Sequence, residues 1–151
     1  MDTVLARLDA LGLQLPPVFP PAGNYLALSQ VDNLVFVGGH GPARGTELII
    51  GKVGSDLTLE QGQEAARWTA LSMLATLEAE IGLERVTQIV KVFGMVNVAP
   101  GFTNTPAVID GCSDLLVAVF GDAGRHSRSA VGMAELPFGI AVEIEMTVSV
   151  G

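Results

Sequence analysis

The segment spanning residues 86–98 constrains the fold more than any other part of this chain. It is almost continuously apolar and rich in β-branched residues, which is typical of a strand covered on both faces. We therefore predict that this strand lies in the middle of a sheet. A sheet built around such a strand needs helices, or a second chain, to cover it.

Two amphipathic helices are predicted on either side of this strand. Thr58 and Gln61 have the spacing of a capping box, and Gly82 ends the periodic segment that follows. Trp68, Leu71 and Ala75 add a second apolar stripe, for which a wide buried face is favoured over a subunit contact. The second helix spans residues 106–120 with Gly121 as its C-cap. Its apolar positions are Val108, Cys112, Leu115, Leu116 and Val119.

The remaining regular segments read as strands. Residues 25–31 and 34–39 predict a hairpin whose second strand is central because both of its faces are apolar. Residues 48–50, 127–134 and 140–150 predict further strands, and the last alternates apolar with polar residues. This order predicts an α+β fold (an α/β sandwich), a mixed sheet with two helices packed on one face. A neighbouring subunit is the simplest cover for the other face.

The N-terminal segment differs from the rest. Leu5, Leu8 and Leu11 recur at helical spacing after Asp2, which we predict as the N-cap. Four prolines between positions 16 and 21 then exclude helix or central strand and predict an extended strap. We expect residues 1–22 to form this helix and strap, and residues 23–151 to form the main domain.

Composition narrows the possible partners. With 151 residues, 49% of them hydrophobic, the chain can bury one substantial core, and its apolar surplus favours a homo-oligomer. The single cysteine predicts no disulfide and a reducing, cytoplasmic location. A net charge of -8 argues against nucleic acid, and no apolar run predicts a signal peptide or a membrane span.

Known cofactor and nucleophile motifs are missing from the sequence. His40, His126 and Cys112 lack the spacing of a metal site, so neither a metal nor another cofactor is predicted. The glycines around His40 do not form a dinucleotide or phosphate loop. No G-x-S-x-G elbow occurs, and Cys112 is predicted to be an inert core thiol.

Arg128 is the residue that most suggests a binding site. On a strand, His126, Arg128 and Ala130 point to one side, so a guanidinium projects among apolar neighbours and needs an anionic partner. An ion pair with Glu143 or Glu145 on the adjacent strand is one interpretation, and a fork for a substrate carboxylate is the other. Spacing alone favours the ion pair.

The sequence around Arg128 also carries a family resemblance. Residues 128–137 read R-S-A-V-G-M-A-E-L-P, and residues 142–145 read V-E-I-E. These segments resemble the C-terminal signature of the Rid family (YjgF/YER057c/UK114, also labelled endoribonuclease L-PSP). Tyr25 in G-N-Y resembles the family's G-x-Y, and residues 36–42 resemble its S-G-Q-x-P segment. The resemblance covers residues 25–150 and indicates a divergent subgroup with an N-terminal helical extension.

The resemblance implies a homotrimer of chorismate mutase-like subunits with clefts at the subunit interfaces. It also implies a cofactor-free enamine/imine deaminase, similar to 2-iminobutanoate/2-iminopropanoate deaminase, that hydrolyses 2-iminoacids to 2-oxoacids and ammonia. In this interpretation Arg128 binds the substrate carboxylate, Glu143 holds the attacking water or takes its proton, and Tyr25 walls the cleft. Gly39 and Ala130 offer backbone polar groups.

Several positions depart from the family pattern. The family's frequent cysteine is Ala130 here, its serine is Gly38 and its glutamine is His40, while its helical asparagine has no clear equivalent near Asp110. His40 titrates in the range for proton transfer, and a hydrogen-bonded structural role is the alternative. Arg125 and His126 are similarly open, and a second cation suits a dicarboxylate.

Two other functions remain possible from the sequence. The first is a non-catalytic trimer that binds a small carboxylate-bearing metabolite. The second is ribonuclease activity or translation inhibition, which some family members are reported to show. The acidic charge and the lack of a basic stripe with interleaved aromatics argue against the second.

Overall fold

The computed structural model describes residues 2–151, and a five-stranded sheet forms its centre. In chain order the elements are α1 (Val4–Ala10), β1 (Leu28–Val31), β2 (Leu34–His40), β3 (Ala43–Arg44), β4 (Glu47–Leu48), α2 (Leu59–Glu80), β5 (Val86–Asn97), α3 (Thr105–Phe120), β6 (Ser127–Met133) and β7 (Val142–Val150). Single 3₁₀ turns occupy Leu83–Arg85, Gly121–Gly124 and Pro137–Gly139. Strands β3 and β4 pair only with each other. No helix among the described residues is long and apolar enough to cross a membrane.

The sheet is mixed, with the strand order β1-β2-β7-β5-β6. Only β5 and β6 are parallel, and β6 forms one edge. Strand β5 is interior as predicted, although β7 is the central strand. Within one chain β5 is covered on one face only, since Lys91 is exposed on the face opposite the helices, and the cover of that face by a neighbouring subunit stays a prediction. A sheet with one face open to solvent needs only alternate positions to be apolar.

Helices α2 and α3 both pack on one face of the sheet and form the core with β5 and β7. The capping box predicted at the start of α2 is present, since the Thr58 hydroxyl accepts from the Gln61 N–H and the Gln61 side chain accepts from the Thr58 N–H. The two helices meet at Gly111. A Cβ there would lie 2.1 Å from the backbone oxygen of Gln63, so only glycine permits this approach.

The N-terminal helix begins later than the sequence suggested. Thr3, not Asp2, is the N-cap: its hydroxyl accepts from the Ala6 N–H. Asp2 instead forms an ion pair with Arg7 at 2.8 Å, which an aspartate one residue earlier can reach. Of the predicted apolar stripe only Leu8 is buried in the core, while Leu5 and Leu11 remain exposed.

Residues 12–27 form the predicted strap, without helix or strand. Leu13 and Leu15 pack against the core, and the strap runs beside Trp68 and Leu71 of α2. The second apolar stripe of α2 is therefore a buried face, as favoured from the sequence. The strap covers it within the same chain.

Three strand predictions need correction. The first strand begins at Leu28, so Tyr25 lies before it in the strap. The predicted strand at residues 48–50 is the short β4 instead, and Ile50 makes only an isolated bridge with Ile140. Strand β2 is interior, as predicted. Its two faces are not both covered within the chain, however, since Phe36 on the face opposite the helices is 42% exposed.

Candidate active site

A cavity of about 430 Å³ opens where β2 ends and β7 begins. Four of the residues predicted as site residues line it: Tyr25, Gly39, His40 and Glu143. They come from the strap and from two neighbouring strands. The antiparallel pairing of β2 with β7 brings them together, with His40 opposite Ile144.

Glu143 provides the carboxyl group of this cavity. Its side chain lies flat over Gly39, where a Cβ would be only 2.7 Å from Oε2 and 3.0 Å from the carboxyl carbon. Any larger residue at position 39 would displace the carboxylate. Burial raises the pKa of Glu143, and the nearby charge of Glu145 adds to this rise. The group is therefore a stronger base than an ordinary glutamate.

His40 sits next to this glycine at an irregular point of the sheet. The register of β2 against β7 shifts between Val37 and His40. The imidazole Nδ1–H donates to the Gly38 carbonyl at 2.7 Å, so in the neutral ring Nε2 accepts from the Thr76 hydroxyl at 2.8 Å. Burial lowers the pKa of His40, which keeps the ring neutral. Because both nitrogens are engaged, the ring ties β2 to α2.

Tyr25 projects from the strap at the mouth of the cavity, with 61% of its surface exposed. Its hydroxyl accepts a hydrogen bond from the Ala22 N–H at 3.1 Å. This bond closes a tight loop in the strap and fixes the orientation of the ring. Tyr25 thus lines the cavity mouth, and its role as a wall of a substrate cleft stays a prediction.

Arg128 lies outside this cavity, on the edge strand β6. It pairs with the buried Val92 of β5 and so points to the face that carries the helices. Its Nη1 donates to the Asp110 carboxylate at 2.8 Å and to the Ser113 hydroxyl at 3.1 Å, while Nη2 donates to the Pro106 carbonyl at 3.3 Å. All three partners belong to α3.

The predicted ion pair of Arg128 with Glu143 or Glu145 is therefore wrong, and Asp110 is the partner. Glu143 and Glu145 are in register with Met95 and Phe93, which face the opposite side of the sheet from Val92. Two side chains on opposite faces cannot meet within one chain. The strands are also not adjacent as the sequence suggested, because β5 lies between β6 and β7. Strand order and side-chain alternation together separate these residues.

Arg128 keeps part of its hydrogen-bonding capacity. A guanidinium carries five N–H donors. The two on Nη1 and one on Nη2 are engaged, which leaves Nε–H and the second Nη2–H without a partner among the described residues. These remaining donors allow Arg128 to bind a further acceptor while its Asp110 contact stays in place.

A second histidine is connected to Arg128 through Ser113. The Nδ1–H of His126 donates to the Gly124 carbonyl at 2.7 Å, and its Nε2 accepts from the Ser113 hydroxyl at 2.9 Å. Burial is the main cause of its lowered pKa, and the positive charge of Arg128 lowers it further. Arg125 is exposed and pairs with Asp122 at 3.5 Å. It belongs to the surface rather than to this cluster.

Ala130 lies on β6, two residues beyond Arg128, and not in the cavity. Its carbonyl accepts a hydrogen bond from the Thr105 hydroxyl at 3.0 Å.

Cys112, predicted as an inert core thiol, is fully buried, and burial raises its pKa to about 12. Asp110 and Ser113 were not predicted as partners of Arg128. Their i, i+3 spacing on the largely apolar helix α3 was the available signal.

One chain thus carries two separate groups of predicted site residues. Tyr25, Gly39, His40 and Glu143 share a cavity, whereas Arg128 and Ala130 lie on the other edge of the sheet. The mixed sheet with two helices on one face, and this division of the polar residues, define a chorismate mutase-like α+β protein. The predicted fold class is confirmed.

Comparison with known proteins agrees with this class. Residues 5–143 match the family model described as "YjgF/chorismate mutase-like, putative endoribonuclease", and the chain belongs to this family. The resemblance to the Rid family seen in the sequence is thereby confirmed. The match begins inside α1 and so includes the N-terminal helix and the strap. The domain boundary between residues 22 and 23 stays a prediction.

Individual relatives cover nearly the whole chain. It is 41% identical over 148 residues to Protein TCP17 of Trypanosoma cruzi, covering 96% of this chain and 92% of that protein. A crystal structure from Shewanella oneidensis, described as a putative endoribonuclease, is 34% identical with a TM-score of 0.95 and coverage of 98% and 99%. The Agrobacterium tumefaciens protein Atu1372, described as having unknown function, is 36% identical with a TM-score of 0.91 and coverage of 98% and 92%.

Proposed function

We propose that this protein hydrolyses reactive 2-iminoacids to 2-oxoacids and ammonia without a cofactor. The reaction takes place in the cavity of Glu143, in the cytoplasm. The site is completed by Arg128 of a neighbouring copy in a homotrimer. The partner molecule is a small metabolite that carries a carboxylate.

The observation that carries this proposal is the Glu143 carboxyl lying over Gly39 in a largely apolar cavity. Hydrolysis of a C=N bond needs a base to take a proton from water and an acid to return it to nitrogen. A carboxyl group with a raised pKa serves both steps, because its two protonation states are closer in free energy near neutral pH. Family membership is compatible with this chemistry.

A second copy of the chain is required because Arg128 and Glu143 face opposite sides of the sheet. Arg128 stands on an edge strand and keeps two free N–H donors, which suit the two oxygens of a substrate carboxylate. The open sheet face, with Phe36 exposed, provides the apolar surface for the neighbouring subunit. The cleft then has a cation at one side and a base at the other.

The chemical step balances with water as the only co-reactant. Water adds its oxygen to the carbon of the protonated imine, the C=N π pair moves to nitrogen, and Glu143 takes a proton from the water. Glu143 then returns this proton to the amino nitrogen of the tetrahedral intermediate. A lone pair of the hydroxyl oxygen forms the C=O bond as the C–N bond breaks, and the leaving ammonia takes the hydroxyl proton as ammonium.

The test measures the loss of 2-iminoacids generated in place by an amino-acid oxidase and trapped with semicarbazide. We expect Glu143→Gln to lower kcat/KM by about 100-fold or more, because no group remains to move the proton. Arg128→Ala should raise KM at least about tenfold through the lost carboxylate contact. Light scattering should show the same oligomer, a trimer, for both variants and the wild type.

Matched controls are available close to both residues. Glu145→Gln removes an exposed carboxylate from the same face of β7, and Arg125→Ala removes an exposed guanidinium from the segment before β6. Arg125→Ala should retain wild-type rates. Glu145→Gln should remain active but shift the pH profile of kcat/KM toward lower pH, because the charge of Glu145 contributes to the raised pKa of Glu143. Full activity in Arg128→Ala or Glu143→Gln, or no acceleration by the wild type with several imines, would overturn the proposal.

A non-catalytic carboxylate-binding trimer is the second candidate. The observation that favours it is His40, whose two ring nitrogens are both engaged and leave no imidazole to assist proton transfer. Tight binding of a 2-oxoacid without imine turnover would support this candidate. Ribonuclease activity is less favoured because the net charge of -8 repels RNA. Salt-sensitive RNA binding would revive it.

A further inference from the structure

We propose that the cavity selects 2-iminoacids with a bulky apolar side chain, such as a branched aliphatic or aromatic group, over those with a methyl or ethyl group. This inference rests on the proposed function and adds the substrate class. Three observations support it: the large apolar side chains around the cavity opening, the backbone conformation of Phe138, and the distribution of charge in the cavity.

The rim of the cavity is formed by large apolar side chains that are exposed in the described part of the chain. Phe19, Tyr25 and Leu26 come from the strap, and Phe138 comes from the turn before β7. Leu26 is 74% exposed and Phe138 is 81% exposed. Several such residues around one opening, in a chain with few aromatics, form an apolar surface that a ligand would remove from water.

Phe138 is held in an unfavourable backbone conformation. Its φ is +59°, in the left-handed region that bulky residues rarely adopt, and Gly139 follows with φ +71°. The two left-handed residues turn the phenyl ring outward to the cavity mouth. An exposed ring maintained at the cost of backbone strain indicates a function beyond packing, because packing within the chain does not use it.

The charge of the cavity lining keeps the substrate carboxylate away from the apolar rim. Among the described residues that line the cavity, Glu143 is the one carboxyl group, and no lysine or arginine accompanies it. It repels a substrate carboxylate, which must therefore lie on the side of Arg128 from the neighbouring copy. With the C=N carbon at Glu143, the substrate side chain extends toward Phe138 and the strap.

The size of the cavity agrees with this orientation. A volume of about 430 Å³ is within the range of pockets that bind small organic ligands. A methyl group in such a space would leave most of the apolar rim in contact with water. A benzyl or isobutyl group would cover it, and the added apolar contact raises affinity about fourfold for each buried methylene group.

The experiment compares kcat/KM for the 2-iminoacids derived from alanine, leucine and phenylalanine. We expect the wild type to prefer the two bulky imines by at least tenfold. Phe138→Asn removes the ring but keeps a residue that tolerates the left-handed backbone, and Phe19→Ala removes a ring from the strap. Both variants should reduce the preference to about threefold or less, mainly through KM. Val18→Ala, next in the strap but outside the lining, should leave it unchanged.

Calorimetric binding of phenylpyruvate and pyruvate separates this inference from the proposed function, because product binding needs no turnover. Tighter binding of phenylpyruvate, lost in Phe138→Asn, supports the apolar pocket even if no imine is hydrolysed. Equal rates for small and bulky imines overturn the inference and leave the deaminase proposal intact. A change of oligomeric state in Phe138→Asn, seen by light scattering, also overturns it, since a second copy would then cover the ring.

Discussion

His40 and His126 make the same hydrogen bonds in two different surroundings. In each, Nδ1–H donates to the carbonyl of a glycine two residues earlier at 2.7 Å, and Nε2 accepts from a hydroxyl on a helix. Thr76, the partner of His40, is buried in α2, and within residues 2–151 its side chain is bonded to no other side chain. Ser113, the partner of His126, also accepts from Arg128. Identical local geometry therefore produces an anchor in one place and a link to a charged group in the other.

The comparison teaches that a histidine is not assigned a role by its hydrogen bonds alone. Whether protonation of the ring changes the interactions of other residues depends on which groups its second hydrogen-bond partner contacts. At His40 a change of charge would act on the contact between β2 and α2. At His126 it would reach Arg128 through one hydroxyl group. Three experiments break or sharpen this contrast.

The largest effect is expected at the anchor. Thr76→Val removes a buried hydroxyl and leaves Nε2 of the half-buried His40 without its partner, which should lower the free energy of unfolding by about 1–3 kcal/mol. Urea denaturation measures this loss. Thr69→Val is the control: this residue is equally buried in α2, but its hydroxyl only adds a bond to the Ala65 carbonyl. Its cost should stay below about 1 kcal/mol. Equal losses in both variants would contradict the role of His40 as an anchor.

A smaller effect on stability is expected at the link. Ser113→Ala should lower the free energy of unfolding by about 1 kcal/mol, because Ser113, unlike Thr76, is itself only half-buried and water can replace its hydroxyl. The pKa of His126 should rise, since its neutral form loses the donor to Nε2. Histidine NMR titration measures this change. Ser127→Ala, which removes a hydroxyl bonded only to the Val90 carbonyl, should leave the titration of His126 unchanged. An unchanged His126 in Ser113→Ala would show that the two groups are not linked.

The smallest effect is the pH dependence that both histidines share. Their folded pKa values are lowered from the ordinary 6.5, so the unfolded chain binds more protons between the two values. Their contribution to stability is fully present above about pH 6.5 and is lost as the pH falls through that value toward the folded pKa. Glu143, whose pKa is raised from 4.5, acts in the opposite direction at lower pH.

Urea unfolding measured at intervals from pH 7.5 to pH 5 tests this dependence. His126→Asn should reduce the loss of stability on acidification without abolishing it, because His40 remains. An identical pH profile in the variant and the wild type would show that His126 does not contribute.

The elements of the fold were largely predictable because they depend on local patterns. The capping box at Thr58, the periodicity of α2 and the alternation along β7 each fix a structure within a few residues of sequence. The start of α1 was misplaced by this same reasoning. Asp2 and Thr3 are both good N-caps, and the choice between them depends on the Arg7 ion pair that captures Asp2.

The candidate site was predictable only in part. The resemblance indicated Tyr25, Gly39, His40 and Glu143, which share one cavity. The partner of Arg128 was not predictable from strand register, because Asp110 belongs to a helix whose position is set by packing against α2. The sequence suggested that the strands of Arg128 and Glu143 are adjacent, but β5 lies between them and the two side chains face opposite sides of the sheet. Alternation decides such cases and needs the register to be known.

The contact between α2 and α3 at Gly111 also bears on how this chain can evolve. Any side chain at that position would push α3 away from the Gln63 carbonyl and carry Asp110 and Ser113 with it. A substitution with no contact to Arg128 would then reorient Arg128 and disconnect His126. Gly111 is therefore expected to tolerate substitution less well than Asp110 itself. A deep mutational scan should show a larger average loss of function for substitutions at Gly111 than for those at Asp110 or Ser113, the polar residues whose positions depend on this contact.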